Sequence, residues 1–397
     1  MNRIQERKIV IVNQASNYLT IGLANAFSDR FEEVNLITGS VHVQGEHLNK
    51  IVAVTRINKF QESPTSKKMI AYLLACVKIY GLLVTKYRKH EVFFVSLPPM
   101  AYLLNIVVPH RFSMLIWDVY PDLFKITGMT DRHLVYRIWS RMNRASFKKA
   151  YRLFTIGDKM SELLMKYVQR DKIIIQPIWS IFQENNKVSK ADNHFLKEHK
   201  LTNKFVVQYS GNIGLTHRVE VMVELAEKMR QYDHIIFLII GRGSRVPALK
   251  RIVDEKKLPN CRFLPFQSDE IFPYSLSAAD LGVVILDDLT SKGSVPSKSY
   301  NLMSFGIPSL YIASADSELY TYANKFGHGK CFSEKELNKA VDFILELSQS
   351  NVMQAEYSKK SLKASNNFKR ENADKIVDYY IKNGVTKKSV FETSDSK

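Results

Sequence analysis

The chain has 397 residues, 45% of them hydrophobic, and a formal net charge of +18 at pH 7. This length exceeds what one hydrophobic core usually organises, so two domains are expected, and the composition excludes a wholly disordered chain. The three cysteines, Cys76, Cys261 and Cys331, have no spacing typical of metal ligands. They predict a reducing compartment and no metal site.

The first residues lead directly into the apolar run Lys8–Val12, without the pattern of a signal peptide. The most apolar window, Met69–Val84, contains Lys78 and is too short to cross a bilayer, so it predicts an amphipathic helix in a cytoplasmic protein. Residues 1–182 hold 26 basic and 13 acidic side chains, which is +13 of the excess. This asymmetry indicates a polyanionic partner for that half, either an anionic lipid surface or nucleic acid.

Short β-rich runs alternate with helical patterns along most of the chain, beginning with Ile9–Val12 and Leu19–Phe27. This alternation predicts an α/β fold with parallel sheets. The expected domains are a Rossmann-like domain over 1–182, a polar linker over 183–200, and a second Rossmann-like domain over 201–364. A C-terminal helix over 365–382, able to pack back on the first domain, and a frayed tail over 383–397 follow. Two such domains are expected to face each other across a ligand cleft.

Three loops in the second domain are candidates for binding a phosphate group. In the first, Gly211, Asn212 and Gly214 follow the strand that begins at Val206, where backbone N–H groups can approach an anion. An ordinary tight turn is an equally good interpretation of that loop alone.

The second loop, Gly241–Arg245, has two glycines and two arginines after a very apolar strand, and at least one arginine is expected to reach the ligand. In the third loop, Ser297 and Lys298 follow Pro296 at the start of a helix, which favours phosphate. Gly306 and Pro308 end that helix.

Taken together, YSGNIG, IIGRGSRVPAL, CRFLPF followed by SLSAADLGVVIL, and VPSKSYNLMSFGIP resemble the retaining nucleotide-sugar glycosyltransferases of family four, especially the bacterial capsule and O-antigen branch. The resemblance covers about residues 203–332 and implies the GT-B architecture. It also implies transfer from a nucleotide-diphosphate-sugar to a lipid-linked or polysaccharide acceptor, without a metal or other cofactor.

The resemblance also implies roles for individual residues. Lys298 would be the cationic contact of the donor and, with an acidic residue in the first domain, part of the catalytic machinery. The other donor-binding residues it implies are Gly211, Asn212, Gly214, Arg242, Gly243, Phe266, Ser297 and Asn301. Many relatives have a glutamate where this chain has Asn301, which lacks the charge that strengthens hydrogen bonds to ribose. Arg218 is a candidate for a further contact with the diphosphate.

Two loops of the first domain are candidates for the acceptor side. Asn13, Ser16 and Asn17 follow the first strand, where they could face the acceptor, although Ser16 or Asn17 could instead cap a helix. Asp118 follows a later strand, and its carboxylate is predicted to orient an acceptor hydroxyl or to take its proton.

The segment from Arg132 to Arg152 contains no acidic residue. Its cations predict one helix face that docks on an anionic membrane surface: Arg137, Arg141, Arg144, Lys148 and Arg152. The opposite, packed face is expected to contain most of Val135, Ile138, Trp139, Met142, Ser146 and Leu153. Exposed apolar side chains that assist docking are expected at Tyr72, Leu73, Leu74, Tyr80 and Leu83.

Three alternatives remain open from the sequence. A nucleotide-sugar epimerase would bind the same donors. A non-catalytic partner subunit or glycan-binding protein would use the same fold without turnover. A nucleic-acid-binding protein would use the basic face, but no nucleic-acid-binding motif accompanies it, so no nucleic acid is expected. The sequence specifies no oligomeric state.

Overall fold

The computed structural model describes residues 4–61, 65–214, 218–288 and 291–382, with side chains from Arg7 onward except that of Thr65. It divides into two compact units. Unit 1 contains the described residues up to Ile181 and those from Arg370 onward, and unit 2 is Phe182–Lys369. The predicted tail over 383–397 lies outside the described residues.

Unit 1 is built on a seven-stranded sheet in which every described pairing is parallel. Its strands, with a separate two-stranded ribbon of β2 and β4, are β1 (Ile4–Val12), β2 (Ala15–Ser16), β3 (Phe31–Thr38), β4 (Ser40–Val41), β5 (Ala53–Arg56), β6 (Glu91–Val95), β7 (Phe112–Ile116), β8 (Leu153–Thr155) and β9 (Ile173–Ile175). The order β5-β3-β1-β6-β7-β8-β9 reverses direction between β1 and β6. This is a doubly wound sheet, as the alternating pattern predicts.

The helices of unit 1 that lie between these strands are α1 (Tyr18–Ser28), α2 (Thr65–Val84), α3 (Leu134–Lys149) and α4 (Asp158–Leu164). The side chain of Asn17 caps α1 by accepting a hydrogen bond from the backbone N–H of Leu19. The short helical turn Ala101–Ile106 packs against both α2 and α3, so these two helices flank one segment of the chain.

Unit 2 has a six-stranded parallel sheet in the order β12-β11-β10-β13-β14-β15. Its strands are β10 (Phe205–Asn212), β11 (Ile235–Arg242), β12 (Cys261–Leu264), β13 (Leu281–Ile285), β14 (Ser309–Ile312) and β15 (Gly329–Phe332). Numbered from its first strand, this is the 3-2-1-4-5-6 order of a Rossmann sheet. Its central strands are apolar because both faces are covered.

The helices of unit 2 cover its sheet and lead the chain back to unit 1. They are α5 (His194–Glu198), α6 (Glu220–Lys228), α7 (Val246–Glu255), α8 (Phe272–Ser277), α9 (Lys298–Ser304), α10 (Glu318–Phe326), α11 (Leu337–Gln349) and α12 (Asn351–Ser365). The chain then enters α13 (Glu371–Ile381), which lies in unit 1 and packs against α1. The ring of Tyr380 contacts the ring of Phe27 with centroids 5.4 Å apart, and its hydroxyl donates a hydrogen bond to Glu91.

The segment over 183–200, expected to be a linker, is instead part of unit 2. Asn193 caps α5, and Phe195 and Leu196 are buried in a cluster with Val206. Lys190 forms a 2.7 Å ion pair with Asp280. The segment is mostly polar, so its composition predicts a linker. The buried side chains of Phe195 and Leu196 nevertheless attach it to unit 2.

Candidate functional site

The strand order of unit 2 defines where a ligand can bind. It reverses between β10 and β13, and the crevice outside the carboxyl ends of two such strands is the usual ligand site of an open α/β sheet. The first glycine loop, Gly211–Gly214, lies at the end of β10, and the second, Gly241–Arg245, lies at the end of β11. The predicted donor-binding loops are therefore grouped at the edge of the sheet where a ligand is expected.

The two glycine loops lie against each other because β10 and β11 stay in register to their ends. Gly211 pairs with Gly241 and Asn212 with Arg242, and the Ile213 N–H donates a 2.8 Å hydrogen bond to the Arg242 carbonyl. A Cβ atom at Gly241 would lie 1.9 Å from the Gly211 oxygen, and the φ of Gly241 is +159°. Only glycine fits there.

Gly243 is required by packing between the loops. A Cβ atom there would lie 2.2 Å from the Ile213 oxygen. This close approach requires glycine at the position whether or not a ligand is bound. The predicted contact of Gly243 with the donor therefore stays a prediction, and the glycine itself has a structural cause.

Gly241→Ala is expected to destabilise unit 2 by about 3 kcal/mol or more, because the added methyl group meets backbone rather than a movable side chain. Denaturant unfolding measures this loss. Gly128→Ala is the control, since Gly128 also has a positive φ, of +86°, but nothing lies within 4 Å of its Cβ position. Equal losses in the two variants would contradict the proposed role of close backbone packing.

Lys298 is the first residue of α9, and its Nζ is buried beside the first glycine loop. A Cβ atom at Gly211 would lie 3.1 Å from this Nζ, which also lies 4.0 Å from the ring centroid of Tyr209. No described protein group accepts a hydrogen bond from it. Burial lowers the pKa of Lys298 to about 7. An anion placed at the loop would restore the favourable interactions that the ammonium group loses in the free protein.

A small cavity adjoins Lys298. It is lined by the polar side chains of Gln208, Ser210 and Asn301 together with apolar side chains from α8, α9 and β13. Gln208 is a candidate that sequence reasoning missed. The signal that could have revealed it is a single carboxamide inside the apolar run of β10, where both faces of the sheet are covered.

Two further predicted donor contacts, Arg242 and Phe266, lie together. The Arg242 guanidinium carbon is 5.1 Å from the ring centroid of Phe266, and both side chains are exposed. Such a cation–π pair leaves an aromatic face beside a cation, which suits stacking with a planar base. Asn212 and Ser297 are also exposed, and a Cβ atom at Gly214 would lie 3.0 Å from the Asn212 side chain.

The other two arginines considered for this site are bound by carboxylates. Arg245 forms a 2.6 Å ion pair with Glu220, and Arg218 pairs with Glu334 and Glu224. The contact of Arg218 with the diphosphate stays a prediction, and in this structure its charge is paired within unit 2.

In unit 1, Asp118 lies just beyond the carboxyl end of β7. Burial raises the pKa of its carboxyl group to about 6. The pKa of Tyr72 is raised to about 12, mainly by burial and further by this carboxylate. No described group donates a hydrogen bond to Asp118. It is a desolvated carboxylate with a pKa suited to a general base near neutral pH.

The loop after β1 does not present its side chains as predicted. Asn13 and Ser16 are each 1% exposed. Asn13 donates a 2.7 Å hydrogen bond to the Thr20 hydroxyl, and Ser16 donates a 3.0 Å bond to the Thr38 hydroxyl. Their expected contact with the acceptor is therefore corrected, because these polar groups stabilise the turn internally. Asn17 is the cap of α1, which is the simpler of its two interpretations.

The basic face of α3 exists, but its composition differs from the prediction. Arg137, Arg141, Arg144 and Lys148 are exposed, whereas Arg152 lies beyond the helix and donates a 2.5 Å hydrogen bond to the Lys382 carbonyl. Val135 and Ile138 are exposed and not packed. Trp139 and Ser146 are buried as expected, and the packed face also contains Tyr136, Asn143 and Phe147.

Three of these arginines line a pocket on unit 1, called here the cationic pocket. Arg137, Arg141 and Arg144 line it together with Lys166 and the buried pair Tyr136 and Tyr167. The two tyrosine hydroxyls donate to Asp122, which also forms a 2.9 Å ion pair with Lys166. None of the three guanidinium groups forms an ion pair with a carboxylate in the described part of the chain. The pocket therefore presents three guanidinium groups that form no ion pair with a described carboxylate.

The outer face of α2 is largely apolar from Met69 to Val84, apart from Lys78. Its exposed large hydrophobic side chains are Met69, Ile70, Leu73, Leu74, Val77, Tyr80 and Val84. Leu73, Leu74 and Tyr80 lie where the sequence predicts exposed apolar groups, but Tyr72 and Leu83 are buried, which corrects their predicted role in docking. An exposed apolar face of this extent indicates an interaction surface.

Neither a membrane-spanning helix nor a metal-binding cluster occurs in the described ranges. Within residues 4–61, 65–214, 218–288 and 291–382, no helix combines the length and apolarity needed to traverse a membrane. Nor do three His, Cys, Asp or Glu side chains of these described segments form a group that could hold a metal ion.

Comparisons with known proteins relate this chain to glycosyltransferases. Residues 191–361 match the family model described as glycosyl transferases group 1. The chain is 28% identical over 213 residues to a protein of Escherichia coli (strain K12) named as a colanic acid biosynthesis glycosyl transferase, WcaI. It is 24% identical over 258 residues to a protein of Pseudomonas aeruginosa named as glycosyltransferase WbjE. The matches span 52% and 63% of this chain and 52% and 64% of the relatives, which is less than two thirds of either relative's length.

Solved structures extend the likeness to almost the whole chain. WaaG, a glycosyltransferase involved in lipopolysaccharide biosynthesis, superposes with a TM-score of 0.70 at 11% identity, covering 94% of this chain and 99% of WaaG. Anabaena Alr3699/HepE, solved with UDP and glucose, gives 0.71 at 13% identity, covering 95% and 99%. At these identities the likeness concerns the fold. Residues 191–361 are therefore similar to the group 1 glycosyltransferases, and the fold of the chain is the GT-B fold.

Proposed function

We propose that the protein transfers a sugar from a nucleotide-diphosphate-sugar to a lipid-linked glycan acceptor in the synthesis of a cell-surface polysaccharide. The observation that carries this proposal is the buried Nζ of Lys298, which lies beside the first glycine loop and has no described hydrogen-bonding partner. The matching family model and the UDP bound to Alr3699/HepE support a nucleotide donor.

The donor diphosphate suits the chemistry of this site. Two negative phosphates at the loop would pair with Lys298 and accept hydrogen bonds from backbone N–H groups near Gly211. As the glycosidic bond of the donor breaks, negative charge grows on the leaving diphosphate. A preorganised cation in a desolvated site stabilises that charge without a metal ion. Arg242 and Phe266 would contact the base.

Asp118 is assigned to the acceptor. Its carboxylate would accept a hydrogen bond from the acceptor hydroxyl and orient it for attack. The resemblance to family four favours retention of configuration at the transferred sugar.

The acceptor and the membrane are assigned to unit 1. Phosphate-bearing headgroups match the guanidinium groups of the cationic pocket, because the arginine fork pairs with phosphate in two-point geometry. The apolar face of α2 would enter the boundary between headgroups and acyl chains, as interfacial helices do. Together these surfaces favour peripheral attachment at the cytoplasmic face of the membrane.

A triple variant, Arg137→Gln, Arg141→Gln and Arg144→Gln, is expected to weaken binding to vesicles that contain anionic phospholipid. Each cation near such a surface contributes about 1 kcal/mol, so the loss should exceed about a hundredfold. Flotation or sedimentation with vesicles measures it.

The control removes the same charge from unit 2, through Lys250→Gln, Lys330→Gln and Lys359→Gln, all at exposed positions. Equal losses in the two triple variants would leave general charge attraction as the explanation and contradict a role for the cationic pocket. Nucleotide binding should be unchanged in both.

The function itself is tested by following release of nucleoside diphosphate from a panel of nucleotide sugars, with and without a lipid extract from a glycan-producing cell. The proposal predicts release with one donor that depends on the extract, and radiolabelled sugar recovered in the lipid fraction. Isomerisation of the donor without release would identify an epimerase. Binding without any turnover would identify a non-catalytic subunit.

A further inference from the structure

Gln208 lies in β10, three residues before Gly211, and it is 2% exposed. Neither its Nε2 nor its Oε1 has a hydrogen-bonding partner among the protein groups that the structure describes. Buried polar groups in folded proteins are nearly always hydrogen-bonded, because an unpaired one loses its hydration without compensation. A central strand thus contains a carboxamide that reduces the stability of the free protein.

The surroundings of Gln208 connect it to the donor site. It lines the same small cavity as Lys298 and Asn301, and most of the remaining wall is apolar, formed by Phe272, Leu276 and Leu302. The cavity therefore combines a carboxamide and an ammonium group in a poorly hydrated space. In such a place each hydrogen bond to a ligand contributes more than it would at the surface.

The chemistry of the two groups differs. The Lys298 ammonium group only donates hydrogen bonds, which suits a phosphate oxygen. The Gln208 carboxamide donates through Nε2 and accepts through Oε1, which matches a hydroxyl group, because a hydroxyl also donates and accepts. Nucleotide sugars contain both kinds of group, with hydroxyls on the ribose and on the transferred sugar on either side of the diphosphate.

We propose that Gln208 is a specificity-determining residue that hydrogen-bonds a hydroxyl group of the nucleotide-sugar donor. This inference rests on the proposed function and adds to it a residue that selects the donor. The fold retains a carboxamide in the strand because the bound donor supplies the partners that the protein does not.

The test replaces the carboxamide with a thioether of similar length, in Gln208→Met. Gln176→Met is a matched control, since Gln176 is also fully buried and neither of its amide atoms has a described partner, but it lies in unit 1. Melting temperature without ligand and calorimetric affinity for a nucleotide sugar and its nucleoside diphosphate are measured for both variants and the parent protein.

The expected result has two parts. Both variants melt at a higher temperature than the parent, because an unpaired polar group has been removed from the interior of each. Only Gln208→Met binds the nucleotide sugar more weakly, by about tenfold or more. If its affinity for the nucleoside diphosphate is unchanged, the hydroxyl belongs to the transferred sugar. If that affinity falls equally, the hydroxyl belongs to the ribose.

Two results would overturn the inference while leaving the proposed function intact. One is an unchanged affinity of Gln208→Met for both ligands. The other is a lower melting temperature of this variant, which would mean that the carboxamide stabilises the free protein. If the parent protein binds no nucleotide sugar, the proposed function fails, and the role of Gln208 fails with it.

Discussion

Lys298→Met is expected to lower turnover about a hundredfold or more while leaving the protein folded. The variant keeps an unbranched side chain beside Tyr209 and removes the cation that we propose faces the leaving diphosphate. Steady-state kinetics with the preferred donor measure the loss. Lys330→Met, at an exposed position of unit 2, is the control and should behave as the parent protein does.

The same residue predicts a dependence on pH. Burial lowers the pKa of Lys298 to about 7, so above that pH the free protein holds a neutral amine. Binding of a diphosphate favours the charged form. At a pH about one unit above that pKa, binding should therefore take up a proton, visible as a binding enthalpy that changes with the buffer. Affinity should fall as the pH rises through the pKa, and Lys298→Met should show neither effect.

The contribution of Lys298 to the stability of the free protein should change with pH in the direction opposite to donor affinity. The unfolded chain binds a proton on this lysine up to its ordinary pKa of about 10.4, whereas the folded protein loses that proton near pH 7. Between these values the unfolded state binds more protons, so the contribution of Lys298 to the free energy of unfolding rises with pH. Denaturant unfolding across this range measures the slope. An identical slope in the parent protein and in Lys298→Met would contradict the burial of this charge.

Asp118→Asn is expected to lower turnover about a hundredfold or more without changing donor affinity. The variant can still occupy the site, but it cannot accept a proton or hold the acceptor hydroxyl with a charge. Kinetics with saturating acceptor measure the loss, and calorimetry measures donor affinity. Glu162→Gln, an exposed carboxylate of α4 that pairs with Lys159, is the control.

The pH profile separates this role from a structural one. Because burial raises the pKa of Asp118 to about 6, turnover of the parent protein should rise through that pH as the carboxylate ionises. Since the folded pKa is above the unfolded value of about 3.9, the contribution of Asp118 to stability falls as the pH rises between those two values. If turnover of Asp118→Asn falls at acidic pH in the same way as that of the parent protein, the titrating group is not Asp118.

Much of the fold could be predicted because parallel strands covered on both faces are nearly continuous apolar runs. Ile9–Val12 and Phe205–Tyr209 have this character, and both belong to central strands. The glycine loops are also predictable, since glycine after an apolar strand and before a helix is typical of a tight turn. The segment over 183–200 is wrongly predicted as a linker because only two apolar residues, Phe195 and Leu196, attach it to unit 2.

The parts of the site that could not be predicted depend on contacts between distant segments. On α3, a spacing of three and four predicts a packed face that contains Trp139 and Ser146 together with Val135 and Ile138. The first two are packed, but Val135 and Ile138 are exposed. Asn143 is packed as well, and the polar groups of Trp139 and Asn143 bond to Tyr102 and to the Tyr120 carbonyl. Those partners come from segments far along the chain. Likewise, the neighbouring residues in the sequence do not show that the carboxamide of Gln208 lacks hydrogen-bonding partners in the fold.

The central claim is that unit 2 binds a nucleotide-diphosphate-sugar through Lys298. Its most direct test is a calorimetric titration of the parent protein and Lys298→Met with a panel of nucleotide sugars, about one unit above the pKa of Lys298 and in two buffers of different ionisation enthalpy. We predict that the parent protein binds donors of one base and takes up a proton as it does so. We predict that Lys298→Met binds the same donors far more weakly and without proton uptake. Equal binding by both proteins, or no binding by the folded parent, would contradict the account.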